Sequence, residues 1–558
     1  MKSKFLHLFC LSAINILLLA SCSNNDAKVQ SDNQGGLTVP AGFSSTIVAD
    51  SLGRTRHLLV TPQNDIYVRL ADPKNGHGTL LLHEENGKAK LLYGFGDFGG
   101  TGVYLRDGYL YATSNSEVFR YKVDKDNRVA DTAIAERIVT GLVDKGQHET
   151  KSITMDKEGN MYIPIGCPSN SCQEQDRQTG SMGRPGCPLL DSAGGVWMFS
   201  KDKKDQTYAD GVRYATGLRN VVAVDWNNQE NKLFVMQHGR DQLNTLYPDL
   251  YTVKQSAQLP AECMYALNKG DNAGWPYIYY DPFKNKKMLA PEYGGDGVKT
   301  VDTAFIDPAA AYPAHMAPNG LLFYTGDMFP EKYKNGAFIA FHGSWNRSPE
   351  PQAGYFVVFQ PFKNGKPDGD WEVFADGFAG SAENVSSGHA EHRPCGLAQG
   401  PDGALYISDD SKGTIYKITY SKNDLERDKE KPSPKNFRDT PATASNEMAA
   451  SGSTSGKNVY TASCVTCHQP DGKGSGNLAP TLVGTSYTNG DKAKLIGVVL
   501  NGLKNEKIDG KDYNNPMPPF NQLSDEAIAN VLTFVRNSFD NSAGAITADE
   551  VKKERAKK

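Results

Sequence analysis

Two cysteines and a histidine near the C-terminus form the motif with the clearest chemistry in this sequence. Cys464 and Cys467 are two residues apart, and His468 follows directly in the segment TASCVTCHQPDGKG. C-x-x-C-H is the attachment pattern of c-type haem, in which both thiols bond to the porphyrin and the histidine becomes an axial ligand of the iron. A disulfide or half of a zinc site is the alternative, but zinc needs about four ligands and no second Cys/His pair lies nearby. The motif therefore predicts a covalently bound haem c.

The composition limits the class of protein that can carry this motif. At 558 residues the chain is too long for one ordinary hydrophobic core, so two or more domains are expected. Its 55 glycines and 26 tyrosines suit a protein rich in β-strands and turns. The formal net charge of −4 gives no reason to expect a nucleic-acid partner.

The first residues have the pattern of an export signal. Lys2 and Lys4 precede the apolar stretch FLHLFCLSAINILLLA, which is too short for a stable membrane-spanning helix. The stretch runs into LASC, which resembles the lipobox of bacterial lipoproteins. We expect a signal peptide over residues 1–21, lipid on Cys22 and a polar tether over 22–38; plain secretion with a chance cysteine is the alternative. The expected location is the periplasmic side of the bacterial cell envelope, with the membrane as a partner through the lipid anchor.

A repeated pattern dominates the body of the chain. A hydrophobic strand, a turn rich in Asp, Asn and Gly, and a strand containing Tyr or Phe recur six times, as in GLAQGPDGALYISDD. Alternating apolar residues around such turns are a hairpin signal. Six multi-strand copies predict a six-bladed β-propeller over residues 39–420, with the long insertions between copies four and five building a site on one face. The copies lie at 58–72, 102–115, 152–166, 221–239, 321–343 and 396–410.

The chain changes character after the repeats. Residues 421–456 are charged and then rich in Ser, Thr, Ala and Gly, which predicts a flexible linker spanning about 33 Å. A small all-α domain is expected over residues 457–540, followed by a charged tail over 541–558. In the segment LSDEAIANVLTFVRNSF, Ser524 is a candidate N-cap, and apolar residues recur at the i, i+3, i+4, i+7 spacing of a helix.

The small helical domain resembles the class I cytochromes c. The resemblance rests on the C-x-x-C-H motif and on the segments NLAPTL and NPMPPF between the predicted helices. It implies that Met517 is the sixth ligand of the haem iron, opposite His468, and that the carbonyl of Pro480 orients the histidine. A core methionine is the alternative for Met517. A thioether ligand raises the haem potential, which suits an electron acceptor.

The propeller resembles the sugar dehydrogenases that use pyrroloquinoline quinone (PQQ), and most closely their sorbosone dehydrogenase branch. The resemblance covers about residues 40–420, in family order, through GQHETKSI, ATGLRNVVAVDW, QHGRDQL, NKGDNAGWPYIYYD, FHGSWNRSP and EHRPCGLAQGPDGALYISDD. It implies an oxidoreductase that moves a hydride from a sugar or related aldose to PQQ and then passes electrons to its own haem. A downstream electron acceptor, a cytochrome or a respiratory chain, is the further partner that it implies.

The resemblance assigns roles to three propeller residues. His148 matches the general base of the family, and histidine suits this role because its pKa lies near neutrality. Arg219 and Asn220 match the pair that holds the quinone oxygens and a carboxylate of PQQ, with Arg219 also stabilising the reduced cofactor. The alternatives are a surface or core histidine and an arginine whose salt bridge closes a blade.

The same resemblance implies a calcium ion and further cofactor contacts. Gly239 and Arg240 match the place where two backbone carbonyls bind Ca²⁺, a hard cation that prefers oxygen, although the family often has proline at the second position. Arg393 matches an arginine that binds a cofactor carboxylate, whereas Glu391 stands where a second arginine is expected. Arg347 lies near the place of a cofactor-binding lysine and would supply the same charge.

Five cysteines remain outside these assignments. Three of them, Cys167, Cys172 and Cys187, share one loop, and in an oxidising compartment we expect a pair among them to close it. Which two pair stays open, as do the partners of Cys263 and Cys395. Because five is odd, at least one thiol stays free.

Two other functions compete with the dehydrogenase. The propeller could bind glycans or a partner, with the haem domain as a separate electron relay, or it could be a calcium-dependent lactonase. The fused haem favours the dehydrogenase, because a binding module needs no exit for electrons. A lactonase would also need side-chain carboxylates that converge on the metal, and the sequence presents no such set.

Overall fold

The structure is a computed structural model that describes most of the chain. The described residues are 35–302, 304–427, 456–469, 471–474, 479–504, 506–513, 516–521 and 523–557. The predicted signal peptide, the lipidation site Cys22 and most of the predicted tether therefore lie outside the described residues. The end of that tether already belongs to the propeller, because Leu37 is buried and Thr38 pairs with Asp376.

The described residues contain short strands, many of them rich in Val, Ile, Phe and Tyr. In chain order they are β1 (Phe43–Ala49), β2 (Thr55–Val60), β3 (Asp65–Lys74), β4 (His77–Glu85), β5 (Lys88–Phe95), β6 (Val103–Arg106), β7 (Tyr109–Thr113), β8 (Val118–Lys122), β9 (Glu136–Val139), β10 (Thr154–Met155), β11 (Asn160–Ile165), β12 (Gly195–Ser200), β13 (Val212–Thr216), β14 (Val221–Asn227), β15 (Lys232–Gln237), β16 (Glu262–Leu267), β17 (Asp271–Asn272), β18 (Ile278–Asp281), β19 (Lys286–Leu289), β20 (Ala310–Tyr312), β21 (Pro318–Phe323), β22 (Ala337–Phe341), β23 (Phe356–Gln360), β24 (Phe362–Lys363), β25 (Lys366–Pro367), β26 (Glu372–Ala375), β27 (Pro394–Gln399), β28 (Leu405–Asp409) and β29 (Ile415–Tyr420). Strand β22, AFIAF, is buried at every position, as expected for a strand covered on both faces.

Helices occupy the connections of the propeller and the C-terminal region. In chain order they are α1 (Leu243–Leu246), α2 (Val253–Gln258), α3 (Ala382–Ser387), α4 (Lys422–Arg427), α5 (Gly456–Ser463), α6 (Val465–His468), α7 (Lys492–Asn501), α8 (Asp525–Arg536) and α9 (Ala548–Arg555). The described part of the chain also contains 3-10 turns at Pro188–Asp191, Pro291–Tyr293 and Glu331–Tyr333.

Six sheets, antiparallel except for one added strand, form the blades of the propeller. The first five blades in chain order are β2–β5, β6–β9, β10–β13 with β17 as a parallel fifth strand, β14–β16 with β20, and β21–β23 with β26. The sixth blade has the order β1-β29-β28-β27. Each of the six sequence copies supplies the first two strands of one blade, so the predicted six-bladed β-propeller is confirmed.

The sixth blade joins the two ends of the propeller. Strand β1 pairs antiparallel with β29, with Phe43 opposite Tyr420, and the backbone N–H of Ser421 donates to the carbonyl of Gly42 at 2.9 Å. The ring of Phe43 packs edge-on against those of Phe329 and Phe374, with centroids 4.8 and 5.0 Å apart. Aromatic burial therefore holds this junction in addition to the strand hydrogen bonds.

The long insertions lie between copies four and five, as the repeats predict. Helices α1 and α2 and the hairpin β18–β19 lie between copies four and five. The loop between β11 and β12 is closed by a disulfide between Cys172 and Cys187, which confirms the expected pair. Cys167, Cys263 and Cys395 are buried free thiols. A cross-link over this loop length stabilises a fold by about 3 kcal/mol in the chain-entropy model.

The C-terminal helices form the predicted small helical domain. Helix α5 crosses α8 so closely at Gly456 that a Cβ there would lie 2.0 Å from the Asn530 carbonyl oxygen, so only glycine fits. Tyr460 and Ile528 are among the residues of the shared core. The hydroxyl of Ser524 accepts a hydrogen bond from the N–H of Ala527, so Ser524 is the N-cap of α8 as predicted.

The predicted linker and the predicted charged tail both differ from the sequence expectation. Residues 422–427 of the predicted linker form α4, and residues 428–455 lie outside the described residues. The predicted charged tail contains α9, in which Val551 is fully buried and the guanidinium of Arg555 contacts Asp525 at 2.7 Å. The apolar contacts of Val551 and Ala548 and the ion pair of Arg555 therefore hold a helix that the charged sequence does not predict. Among the described helices, none combines the length and apolarity needed to cross a membrane.

Candidate functional site

One cavity of about 370 Å³ gathers most of the propeller residues that the sequence analysis selected. It is lined by loops of the propeller that carry His148, Arg219, Asn220 and Gly239 and by two residues of the C-terminal domain, Cys467 and Gln469. His148 precedes β10, the pair Arg219 and Asn220 joins β13 to β14, and Gly239 follows β15. Loops from several blades therefore meet one another and the haem motif at the same cavity.

His148 is held in one orientation by its neighbours. Its backbone has a φ of 52°, in the left-handed region, and its Nδ1 lies 2.5 Å from the carbonyl oxygen of Cys167. A Cβ on Gly166 would lie 2.3 Å from the His148 carbonyl oxygen, so glycine makes room for the loop. Because a carbonyl only accepts, Nδ1 carries the proton and Nε2 keeps a free lone pair.

The surroundings of His148 favour its neutral form. Burial lowers the pKa of His148 well below its ordinary value, and the positive charges of Arg219 and Arg177 lower it further. The ring is therefore unprotonated at neutral pH, which is the form that a general base requires.

The guanidinium of Arg219 is almost fully used by the protein. Its Nε donates to the carbonyl of Asn170 at 3.1 Å, and its Nη1 donates to the carbonyl of Gly239 at 2.8 Å. Its Nη2 donates to the Asn170 side chain at 3.0 Å and to Asp241 at 2.8 Å. Four of its five N–H groups are thus engaged, and Arg219 fixes three loops of the cavity relative to one another.

Asn220 has a buried side-chain oxygen whose hydrogen bond is not satisfied within the described residues. Its side-chain oxygen is buried, and among the described residues it has no hydrogen-bond partner. It lies near His148, since a Cβ on Gly166 would contact both residues. Leaving such a group unpaired costs about 1–3 kcal/mol, so its position at the cavity indicates a site for a polar molecule.

Asp241 is the centre of a charged cluster on the cavity wall. Its carboxylate accepts hydrogen bonds from Arg219, from Arg177 Nη2 at 3.0 Å and from Asn346 Nδ2 at 2.6 Å. Burial alone would raise the pKa of Asp241, but Arg219, Arg177 and His315 hold it well below its usual range. The carboxylate is therefore ionised and organises the cationic side chains around it.

Arg347 is not brought into the cavity. Its guanidinium donates to the carbonyls of Ala257 at 2.5 Å and Pro351 at 2.9 Å, where it ties loops together. The two residues before it, Trp345 and Asn346, line the cavity instead. This geometry gives no support to the predicted cofactor contact by Arg347.

Arg393 also lies outside the cavity lining. Its Nη2 donates to the Gly388 carbonyl at 2.9 Å, and the guanidinium stacks over the ring of Tyr355 with 5.0 Å to the centroid. Glu391, which replaces the second expected arginine, pairs with exposed Lys412 at 3.5 Å. Arg393 and Glu391 therefore contact other groups of the protein and do not face the cavity.

The predicted calcium ligands do not present a pair of free carbonyls. The Gly239 carbonyl accepts Arg219 Nη1, so a guanidinium already stands where the cation is expected. The Arg240 side chain is buried against Glu292, at 2.5 and 2.6 Å. Among the described residues, no group of three or more His, Cys, Asp or Glu side chains could hold a metal ion. These contacts give no support to a calcium site at Gly239 and Arg240, and calcium binding stays a prediction.

Several lining residues were not singled out from the sequence. His238 and His342 directly follow the second strands of the fourth and fifth blades, in QHG and FHG, so comparison of the repeat copies could have identified them. His342 Nε2 lies 2.6 Å from Asp410, which also pairs with Arg56 Nη1 at 2.7 Å. Arg177 lies in the disulfide-closed loop, where no repeat or motif marks it.

The haem motif has the geometry expected of a c-type attachment site. Cys464 and Cys467 are partly exposed, and His468 Nδ1 lies 2.9 Å from the carbonyl oxygen of Pro480, as the resemblance implies. This contact leaves Nε2 of the buried histidine for a metal. Met517 is half-buried against the core of the domain. Iron ligation by His468 and Met517 stays a prediction, which the optical spectrum of the haem-loaded protein would test.

The haem motif lies directly at the propeller cavity. Cys467 and Gln469 belong to its lining, beside Arg177 and Asp241. Burial raises the pKa of Cys467, and the opposing effect of Arg177 shows how near these two side chains are. The sequence predicts only that a tether could reach the propeller, whereas the structure has the two domains in contact at this point.

Comparisons with known proteins agree with this architecture. The TrAA12-like family model matches residues 37–280 and 288–421, and the cytochrome c model matches 453–539. The chain is 29% identical over 222 residues to an uncharacterized protein of Borreliella burgdorferi, covering 40% of this chain and about half, 51%, of that relative.

Two further comparisons concern the propeller. The pyrroloquinoline quinone-dependent sugar dehydrogenase of Hypocrea jecorina is 23% identical over 408 residues, which cover 70% of this chain and 87% of the relative. The structure of a Trichoderma reesei carbohydrate-active enzyme of family AA12 has a TM-score of 0.56 at 19% identity, covering 69% of this chain and 98% of that one. At this identity the structural likeness supports the fold. By the match of the family model over most of its length, the chain belongs to the TrAA12-like family, with a cytochrome c domain at its C-terminus.

Proposed function

We propose that this protein is a PQQ-dependent sugar dehydrogenase that passes electrons from PQQ to its own haem. The observation that carries the proposal is that Cys467 of the haem motif and His148, a buried neutral histidine, line the same cavity. An enzyme that oxidises a sugar needs both a base and an exit for electrons, and here the two meet. The family and the Hypocrea jecorina relative, which is named for sugar oxidation with this quinone, support the same reaction.

The cavity fits PQQ by its chemistry. PQQ is a flat quinone with carboxylates, and the cavity is lined by guanidinium groups, which donate hydrogen bonds to oxygens of this kind. Arg219 has one N–H left for the cofactor, and the unpaired side-chain oxygen of Asn220 can accept a hydrogen bond from a donor such as a sugar hydroxyl. When bound, PQQ supplies the acceptor for the hydride of the sugar and then releases electrons to the haem.

The residues of this chain supply the proton chemistry and the environment. His148 Nε2 takes the proton of the reacting sugar hydroxyl, while its Nδ1–H bond to Cys167 keeps the ring in place. Ionised Asp241 balances the nearby guanidinium charges. Gln469 and Cys467 cover part of the cavity, which limits the access of water to the reacting groups.

The glycan-binding, relay and lactonase alternatives are less well supported. A binding propeller does not explain why a haem motif is placed against a cavity that holds a neutral histidine. A lactonase needs carboxylates around a metal, and none of the described residues form such a cluster.

Reconstitution of the haem-loaded protein tests the proposal. We expect that, once PQQ is bound, at least one aldose of a panel will reduce both a small dye and the haem. The control is the same mixture without PQQ, and parallel samples with calcium and with a chelator test the predicted calcium requirement separately. A protein that shows no quinone-dependent reduction with any aldose, although its haem responds to chemical reductants, would contradict the proposal and favour the relay.

The burial of His148 predicts an acid-tolerant reaction. A base works only when unprotonated, and because the folded protein lowers the pKa of His148 well below 6.5, it stays competent as the pH falls through 6. The acid limb of kcat/KM for dye reduction should therefore lie below the ordinary histidine pKa. A midpoint at or above 6.5 would show that His148 is not the buried base described here.

We also propose that the protein is a lipoprotein of the bacterial envelope, anchored through Cys22. The support is the sequence pattern, in which Lys2 and Lys4 and an apolar stretch precede LASC. Several acyl chains together would anchor far more firmly than one. Membrane fractionation of the wild type and of Cys22→Ala tests this, and retention of the variant in the membrane fraction would exclude an anchor at this cysteine.

A further inference from the structure

The loop between β11 and β12 is built rigidly. The Cys172–Cys187 disulfide closes it, and both cysteines are fully buried. Within it, the carboxylate of Asp176 accepts the hydroxyl of Ser169 at 2.6 Å and the N–H of Asn170 at 2.9 Å. A loop tied at these points holds its side chains in fixed positions.

Arg177 projects from this loop into the wall of the cavity. Its side chain is only 12% exposed, and it lines the cavity together with His148 and Arg219. It donates from Nη2 to Asp241 at 3.0 Å and from Nη1 to the side-chain oxygen of Gln242 at 2.8 Å. Its position is therefore fixed from two sides, which pre-organises the guanidinium for a ligand.

The guanidinium of Arg177 keeps more donors for a ligand than that of Arg219. A guanidinium has five N–H groups. Within the described part of the chain, Arg177 donates two of them and Arg219 donates four. Arg219 is thus mainly a structural element of the site, whereas Arg177 retains three N–H groups.

The two carboxylates near Arg177 do not use all of its N–H groups. Arg177 and Arg219 share the single carboxylate of Asp241. Asp176 balances the second charge, but its oxygen lies 3.9 Å from Arg177 Nε, too far for a hydrogen bond, and its other oxygen accepts from neutral donors. A further carboxylate would make charge-assisted hydrogen bonds that these contacts leave unmade.

We propose that Arg177 binds a carboxylate of PQQ, in place of the arginines at positions 347 and 393, which lie outside the cavity. This inference rests on the proposed function, since it deepens the same site. The loop closed by the disulfide would then hold the guanidinium that binds the cofactor carboxylate. Because Arg177 lies beside Cys467, it would anchor the cofactor at the side of the cavity nearest the haem motif.

Direct measurement of PQQ binding to the full-length apoprotein tests this role without relying on turnover. We expect Arg177→Gln to raise the Kd of PQQ by about 10- to 100-fold, the range for loss of charge-assisted hydrogen bonds. Arg184→Gln is the matched control, because Arg184 belongs to the same loop but donates to the carbonyl of Gln173 at 3.1 Å and does not line the cavity. Its Kd should stay within about twofold of the wild type.

Two further variants separate binding from folding. Arg177→Lys keeps the charge beside Asp241 but loses the planar fork, and should weaken binding less than glutamine does, with unchanged thermal melting. The double change Cys172→Ser and Cys187→Ser should weaken binding by loosening the loop while Arg177 remains. Equal Kd values for wild type, Arg177→Gln and Arg177→Lys would overturn the inference. A wild type that does not bind PQQ at all would instead overturn the proposed function.

Discussion

Replacing His148 by alanine is expected to lower the rate of sugar oxidation by about 10²–10⁴, the typical contribution of a general base. The histidine is the neutral, buried group whose Nε2 can accept the hydroxyl proton, since Nδ1 is bound to the Cys167 carbonyl. Both dye reduction and haem reduction should fall together, because proton removal precedes every electron transfer. Stopped-flow spectra after mixing the PQQ-loaded protein with substrate would measure both signals.

Matched variants show whether the loss is chemical. His148→Gln keeps a donor for the Cys167 carbonyl but offers no base, so it should be as inactive as alanine. His77→Ala changes a histidine at the start of β4, away from the cavity lining, and should leave the rate unchanged. Wild-type rates in His148→Gln, with PQQ bound normally, would exclude the histidine as the base.

Cutting the chain between residues 428 and 455 is expected to slow haem reduction by about 10³ at micromolar protein. A tether holds its domain at an effective concentration on the order of millimolar, and the cut removes this advantage. The severed propeller keeps His148 and Arg177, so reduction of a small dye should not change. Stopped-flow traces at several protein concentrations would show haem reduction that becomes concentration-dependent only after the cut.

The expected loss of haem reduction would not occur if the haem domain binds the propeller tightly at the cavity. Cys467 and Gln469 already lie against the propeller, so a strong interface would keep the severed domains together. Fast haem reduction that does not depend on concentration after the cut would show that the interface, rather than the linker, maintains the electron path. Uncut protein in the same experiment provides the reference rate.

Features with a local or repeated signal could be predicted from the sequence. The six blades follow from copies of one strand–turn–strand pattern, and the Pro480 contact of His468 follows from a short motif. The directions of loop side chains could not be predicted in this way. Arg347 turns to the carbonyl of Ala257, about 90 residues away in the chain, so its local sequence does not show that it leaves the cavity.

The functional and structural features that the sequence did not predict have neither a local motif nor a repeated pattern. Arg177 lies in an irregular loop whose path depends on which cysteines pair, and the sequence left that pairing open. Helix α9 was hidden by its charges, because a single buried valine, Val551, is too weak a pattern to indicate a docked helix. In both cases a long-range contact decides the local structure.

The pairing of β1 with β29 also affects how the protein can be made. The strand that completes the last blade is the first strand to be synthesised, but its partner, residues 415–420, is the last strand of the propeller to be synthesised. Until then the growing ring has two open strand edges, and unpaired edges invite association with other chains. Newly made chains should therefore be most prone to aggregate just before Tyr420 is available, and a truncation that removes β29 should yield an aggregating product rather than a shorter propeller.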